Sequence, residues 1–272
     1  TMKKILIALL ISTVVTSAFS EAKTTKQSKQ EVTTKIYPMD HFDPNKFLVS
    51  SIPDFTKLYF SESKKILQKG EFETTAEYEE RLAQGLKLKS LDTSKVYAFE
   101  LDSIKIDYDA DTAQYKIKTL EIGSGRILAR NRDSEERNIL RVGKIYRNTG
   151  SYIGENGYGV KVKVQEIKGE DFYISNSSSI EHIKEDVIFP VLTFPVSVET
   201  AKKYATCSKK LYVFAQLNNS TPDPNLNVVS EAMTPTRNLP LKVFVTGKVI
   251  PMDIKGMVLK CSNGQVINSK SF

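Results

Sequence analysis

From Val96 onward the sequence keeps a two-residue rhythm of apolar and polar side chains. That period belongs to strands buried on one face, because successive strand side chains point to opposite sides. "VYAFEL" and "SIKIDY" alternate in this way, as does "QYKIKTLEI", with "DADT" between them as a turn. "YGVKVKVQEI" (158–167) is the clearest alternating strand, and "DFYIS" (171–175) follows a Lys-Gly-Glu turn. Much of the chain must therefore be antiparallel sheet. "RNRDSEERN" (130–138) is charged throughout and is expected to form an exposed loop.

Two helices precede these strands. Pro53 suits a first helical turn, where its missing N–H does no harm. Phe55, Leu58, Tyr59, Ile66 and Leu67 fall on one side at helical spacing, and Gly70 is a natural stop. The second helix starts inside "KGEFETTAEYEERL" (69–82). Thr74 followed three residues later by Glu77 is a capping box, in which hydroxyl and carboxylate satisfy each other's backbone N–H groups. Tyr78, Leu82 and Leu86 form an apolar stripe, with Glu79, Glu80 and Arg81 off it. The glutamates suit the positive end of a helix dipole, and no pocket is in view to tune them for acid–base work.

A third block begins near Asp186. "VIFPVLTFPV" holds Pro190 and Pro195 and reads as an edge or broken strand. Ser197 caps a short helix, "VETAKKYA", and "KLYVFAQL" is a strong strand. Residues 218–240, with four prolines, read as a long exposed connection. "LKVFVTGKVI" and "GMVLKC" complete a sheet, and Asn263-Gly264 turns the chain into "QVI". The expected fold class is α+β: a helical pair followed by antiparallel sheets over 46–185, then a C-terminal α+β block over 186–272.

The N-terminus has the layout of a secretory signal. Lys3 and Lys4 precede an apolar run from Ile5 to Val15, and Ala18-Phe19-Ser20 offers small residues for cleavage. The expectation is a signal peptide over 1–20, a flexible leader over 21–45, and a periplasmic or secreted mature chain. The competing reading is an uncleaved anchor, although the run is short for a bilayer. No cysteine follows it, so a lipid-anchored form is not indicated. The net charge of +7 loses two lysines with that segment. The modest surplus that remains favours weak attraction to anionic envelope surfaces and is no nucleic-acid footprint.

Cys207 and Cys261 are the only cysteines. In an exported chain an even count points to a disulfide, with two buried thiols as the alternative.

"KGEFETTAEYEERL", "YDADTAQY" and "SYIGENGYGVKVKV" resemble, in that order, segments of a loose set of uncharacterised bacterial exported proteins. Those proteins pair a GEFETxAEYxxR helix entry with a YxGxNx[FY]G segment before a strand. The resemblance implies an envelope or exported location and an α+β body, and brings no activity or catalytic residues.

The candidate chemistry is sparse. Asp107, Asp109 and Asp111 alternate as in a calcium loop, but Thr112 and Lys118 stand where that loop needs glycine and an acid. His41 and His182 lack companions for zinc, and the serines of "SSSIEHI" (177–183) lack a nucleophile elbow. "GENGYG" (154–159) precedes a strand and so is no phosphate loop. Its Asn156 and Tyr158 are the candidate binding residues. No cofactor or metal is expected. The leading expectation is a non-enzymatic module that binds another envelope or secreted protein through exposed strand edges. The alternatives are a hydrolase assembling Glu155 with the acids of 107–111, and a lipid or small-molecule carrier with its cavity between helices and sheet.

Overall fold

Two strands of 21 residues each set the plan of the molecule: β6 (Glu135–Glu155) and β11 (Leu241–Cys261). The structure is a computed structural model that describes residues 35–102, 104–117, 122–127, 135–155, 158–175, 192–218, 227–236 and 239–272. The remaining strands are β1 (Pro38–Met39), β2 (Val96–Leu101), β3 (Ile106–Asp109), β4 (Gln114–Ile117), β5 (Ile122–Ile127), β7 (Lys161–Ser175), β8 (Leu192–Pro195), β9 (Lys209–Leu217), β10 (Asn227–Met233) and β12 (Val266–Ser271). The helices are α1 (Ile52–Ile66), α2 (Thr75–Ala83) and α3 (Val198–Lys203).

The main sheet runs β1-β2-β9-β11-β7-β6-β5, with β10 and β12 also paired to β11. A smaller sheet runs β3-β4-β8. Helix and strand are both present, and strand predominates. β9 lies between β2 and β11, and β7 lies beside β11, so segments from before and after residue 186 interleave in one sheet.

β11 was expected as two strands. It is continuous because its neighbours change at Pro251. Residues Leu241–Pro251 pair with β7, and Met252–Cys261 pair with β9. A proline lacks the donor a ladder needs, and here it stands where one ladder ends and the next begins. The β7–β11 pairing is parallel, unlike the antiparallel sheets expected from the sequence. The long chain between those two strands supplies the crossover that a parallel pair requires.

Alternation fades in β2 and β9, where nearly every side chain is buried. Both faces of this part of the sheet are covered. On one face α1 sets Phe55 edge-on against Tyr97 and Phe99, with ring centroids 4.8 and 5.3 Å apart. On the other, Phe42 and Phe47 pack edge-on against Phe214 at 4.8 and 4.7 Å. Residues 35–45, read from the sequence as the end of a flexible leader, thus carry β1 and part of a core. Gly256 admits this cover: a β-carbon there would lie 2.8 Å from both the Phe42 ring and the Lys270 carbonyl oxygen. Edge-on aromatic contacts of this kind add to the stabilisation from the area buried.

α1 begins at Ser51, whose hydroxyl accepts from Asp54 N–H, and α2 begins at the Thr74–Glu77 capping box. The Tyr78–Leu82 stripe does not reach the core, because α2 buries none of its residues. Leu86, just beyond the helix, does reach it. α2 is instead tied to the end of α1 by polar groups. Arg81 pairs with both carboxylate oxygens of Glu73, at 2.7 and 2.8 Å, and donates to the carbonyls of Ile66 and Gln68. The Tyr78 hydroxyl donates to Leu67 O at 2.9 Å. These groups satisfy carbonyls that a helix end leaves open.

The Cys207–Cys261 disulfide is formed, with the two Cα atoms 5.6 Å apart. It ties the turn after α3 to the last residue of β11. Two further expectations shift. Residues 135–138 belong to β6 rather than to a charged loop, and residues 227–233 form β10 within the expected long connection. β8 is an edge strand, as expected of a strand that carries Pro195. No helix among the described residues is long and apolar enough to cross a membrane.

Candidate functional site: the β6–β7 arm

β6 and β7 form a long antiparallel hairpin whose outer part leaves the body of the sheet. β5 pairs with β6 only over Glu135–Leu140, and β11 meets β7 only from Gln165 onward. Residues 151–155 and 161–165 pair in uninterrupted register, Ser151 with Gln165 and Glu155 with Lys161. Residues 161–164 therefore project roughly 13 Å past the last β11 rung, at about 3.3 Å per residue. Two irregularities, at Arg141/Gly143 and Asn148/Gly150, bend β6 along the way.

The arm has two faces. One carries Tyr152, Val162, Val164, Glu166, Lys168 and Glu170, continuing inward to buried Phe172 and Ile174. It is an outward extension of the face that α1 covers: a β-carbon on Gly143 would lie 2.8 Å from Ile52 of α1. Beyond Ile52 no helix among the described residues covers that face. The opposite face carries Tyr146 and a buried pair, Arg141 Nη1 to Asp171 Oδ2 at 3.5 Å. The Tyr173 hydroxyl donates to the same carboxylate at 3.3 Å.

Three hollows lie in a row along the open face. The outermost, about 440 Å³, is lined mainly by Tyr152, Val160, Val162, Val164 and Pro235. The next, about 310 Å³, lies among Glu166, Lys168, Lys242 and Phe244. The innermost, about 370 Å³, lies among Ile145, Arg147, Lys168, Phe244 and Thr246. All three are partly open to solvent. Apolar side chains stand exposed around them: Ile153 by 64%, Tyr158 by 94%, with Phe244, Tyr152 and Val160 partly so. Lone exposed apolar residues are ordinary, whereas a group on one projection marks a contact surface.

Ion pairs cross the arm and its junction with β11. Lys242 Nζ lies 3.0 Å from Glu166, Lys248 Nζ 2.9 Å from Glu170, and Lys161 Nζ 3.6 Å from Glu155. The hydrogen bond to Glu166 holds the Lys242 ammonium above its usual range, and Lys242 also stands 5.6 Å over the Tyr152 ring.

The candidate residues read from the sequence are scattered. Tyr158 is at the arm's tip, and Asn156 lies outside the described residues, as does His182. Glu155 is on the arm, while Asp107, Asp109 and Asp111 belong to the β3–β4 hairpin of the other sheet. Asp109 is engaged there. It pairs with Lys116 at 2.5 Å and accepts from the backbone N–H groups of Asp111 and Thr112, which hold its carboxyl well below the usual range. No group of acids, histidines or cysteines among the described residues is arranged to hold a metal ion. The core beneath α1 is filled by Phe55, Tyr59, Tyr97, Phe99 and Phe172, so the hollows lie on the arm rather than under that helix. No family model matches the chain, and no curated protein or solved structure matches it.

Proposed function

We propose that this chain is an exported, envelope-located protein that works by holding another protein on the β6–β7 arm, without catalysis of its own. The observation that carries the reading is the outer edge of β6 over 151–155, which pairs with no strand among the described residues and is flanked by exposed Tyr152, Ile153 and Tyr158. A regular strand edge presents alternate N–H and C=O groups to an incoming strand, and adjacent apolar side chains supply selectivity. The disulfide supports an oxidising compartment, as does the signal-like N-terminus.

The test is capture from an envelope fraction by the exported chain, with and without reductant, beside an Ile153→Asp/Tyr158→Asp variant. The expected result is a discrete partner retained by the wild type and lost by the variant while both remain folded. Equal retention by both, or turnover of an envelope substrate with no partner retained, overturns the reading.

A further inference from the structure

Directly across the arm, Arg147 of β6 is the register partner of Lys168 of β7. Paired residues on neighbouring strands share a face with side chains about 5 Å apart, and like charges placed so repel. A sheet gains nothing in stability from this rung. Acids are near at hand yet turned elsewhere. Glu166 and Glu170 flank Lys168 on the same strand face, but they are held by Lys242 at 3.0 Å and Lys248 at 2.9 Å from β11. On this face four cations meet two carboxylates, and the surplus sits on the Arg147–Lys168 rung. Beside it on β11 stands Phe244, the register partner of Lys168 and itself 46% exposed. Arg147, Lys168 and Phe244 all line the innermost hollow, along with Thr246. Further out the face turns apolar at Tyr152, Val160, Val162 and Val164.

We propose that the Arg147–Lys168 rung is a carboxylate-recognition site, and that the partner held by the arm presents an acidic, extended segment to it. This rests on the partner-binding reading and adds the partner's chemistry. Arginine takes a carboxylate with two parallel N–H donors, and lysine adds a point charge. A carboxylate seated between them relieves the repulsion across the rung. An apolar residue a few positions along the same segment reaches the outer hollow beside Tyr152. Charge complementarity selects this occupant.

The experiment measures binding of the full chain to fluorescein-labelled peptides of alternating Glu and Val, Gln and Val, and Lys and Val. Vesicles of phosphatidylcholine, with and without phosphatidylglycerol, form a parallel arm. Arg147→Gln/Lys168→Gln is compared with wild type and with Lys202→Gln, an exposed cation on α3. The Glu peptide should bind more tightly than the other two, weaken with added salt, and lose roughly tenfold in affinity in the double variant. Lys202→Gln should leave binding unchanged. The double variant's melting temperature should hold or rise, because a repulsive pair has been removed. Equal binding of Glu and Gln peptides, an unaffected double variant, or binding to anionic vesicles alone overturns the proposal. If partner capture survives Arg147→Gln/Lys168→Gln, the carboxylate assignment falls while the arm remains the binding element. If capture ignores Ile153→Asp/Tyr158→Asp while the Glu peptide still depends on the rung, the outer edge of β6 falls as the binding element while the carboxylate assignment stands.

Discussion

The ring of Tyr146 lies over Gly169, its register partner across the arm: a β-carbon on Gly169 would come 2.2 Å from Tyr146 Cδ1. The missing side chain of one strand is the seat of an aromatic on the next, a pairing that shields a glycine in a strand interior. Gly169→Ala should expel the ring and cost about 1 kcal/mol, the scale of one cross-strand pair. In a Tyr146→Ala background the same change should cost almost nothing more. Urea unfolding of the four species gives the coupling, and fully additive effects would contradict the contact.

Breaking the disulfide should destabilise the chain by about 4 kcal/mol on the chain-entropy model, given a sequence separation of 54 residues. The matched comparison is Cys207→Ser/Cys261→Ser against the oxidised wild type in denaturant. Loss of binding on reduction without loss of fold would instead place the bridge in the function.

Acid should loosen the surface ties before it melts the core. The Glu73 carboxyl is pulled down to about 2, first by its hydrogen bond to Arg81 and then by the Gly70 N–H. A depressed folded-state pKa contributes stability that is present above the unfolded value, near 4.3. That contribution fades as the pH falls from there through about 2. Hydrogen exchange should therefore show residues 75–83 opening between pH 4 and pH 2 while β2, β9 and β11 stay protected. Arg81→Ala should open the same helix at neutral pH. Unchanged exchange over 75–83 in either experiment would refute the role given to this pair.

Arg141 and Asp171 are both nearly buried on the arm's inner portion. Asp171→Ala strands a buried guanidinium, and the expected loss is about 3 kcal/mol. Arg141→Leu/Asp171→Leu should recover much of it, since an apolar pair of similar volume carries no desolvation penalty. A chemical-denaturation series would decide, and equal losses in the single and double variants would argue against a coupled pair.

Local chemistry was legible in the sequence wherever near neighbours decide it. The Thr74–Glu77 capping box, the Ser197 cap and the edge position of the proline-bearing β8 all follow from residues close in the chain. What stayed hidden depends on partners far away. Tyr78 and Leu82 have helical spacing for a buried stripe, yet Arg81 anchors their helix through carbonyls at and just past the end of α1, at a distance no periodicity encodes. Phe42, at the end of the expected leader, and Phe47, just after it, show no periodicity of their own, and their place follows only from Tyr212 and Phe214 beneath them. The arm itself was half visible. "YGVKVKVQEI" announces a strand, but nothing in it shows where β11 stops covering β7. The Arg147–Lys168 rung needs the register of two strands with irregularities between them, and no alternation pattern supplies that register.

β11 also governs how the molecule bears load. Force applied to the arm would enter β7, cross the parallel rungs to β11, and run along that single strand to the cystine at its far end. Pull on the outer hairpin is thereby shared with the most deeply embedded strands, so this body should yield mechanically as a whole rather than by peeling.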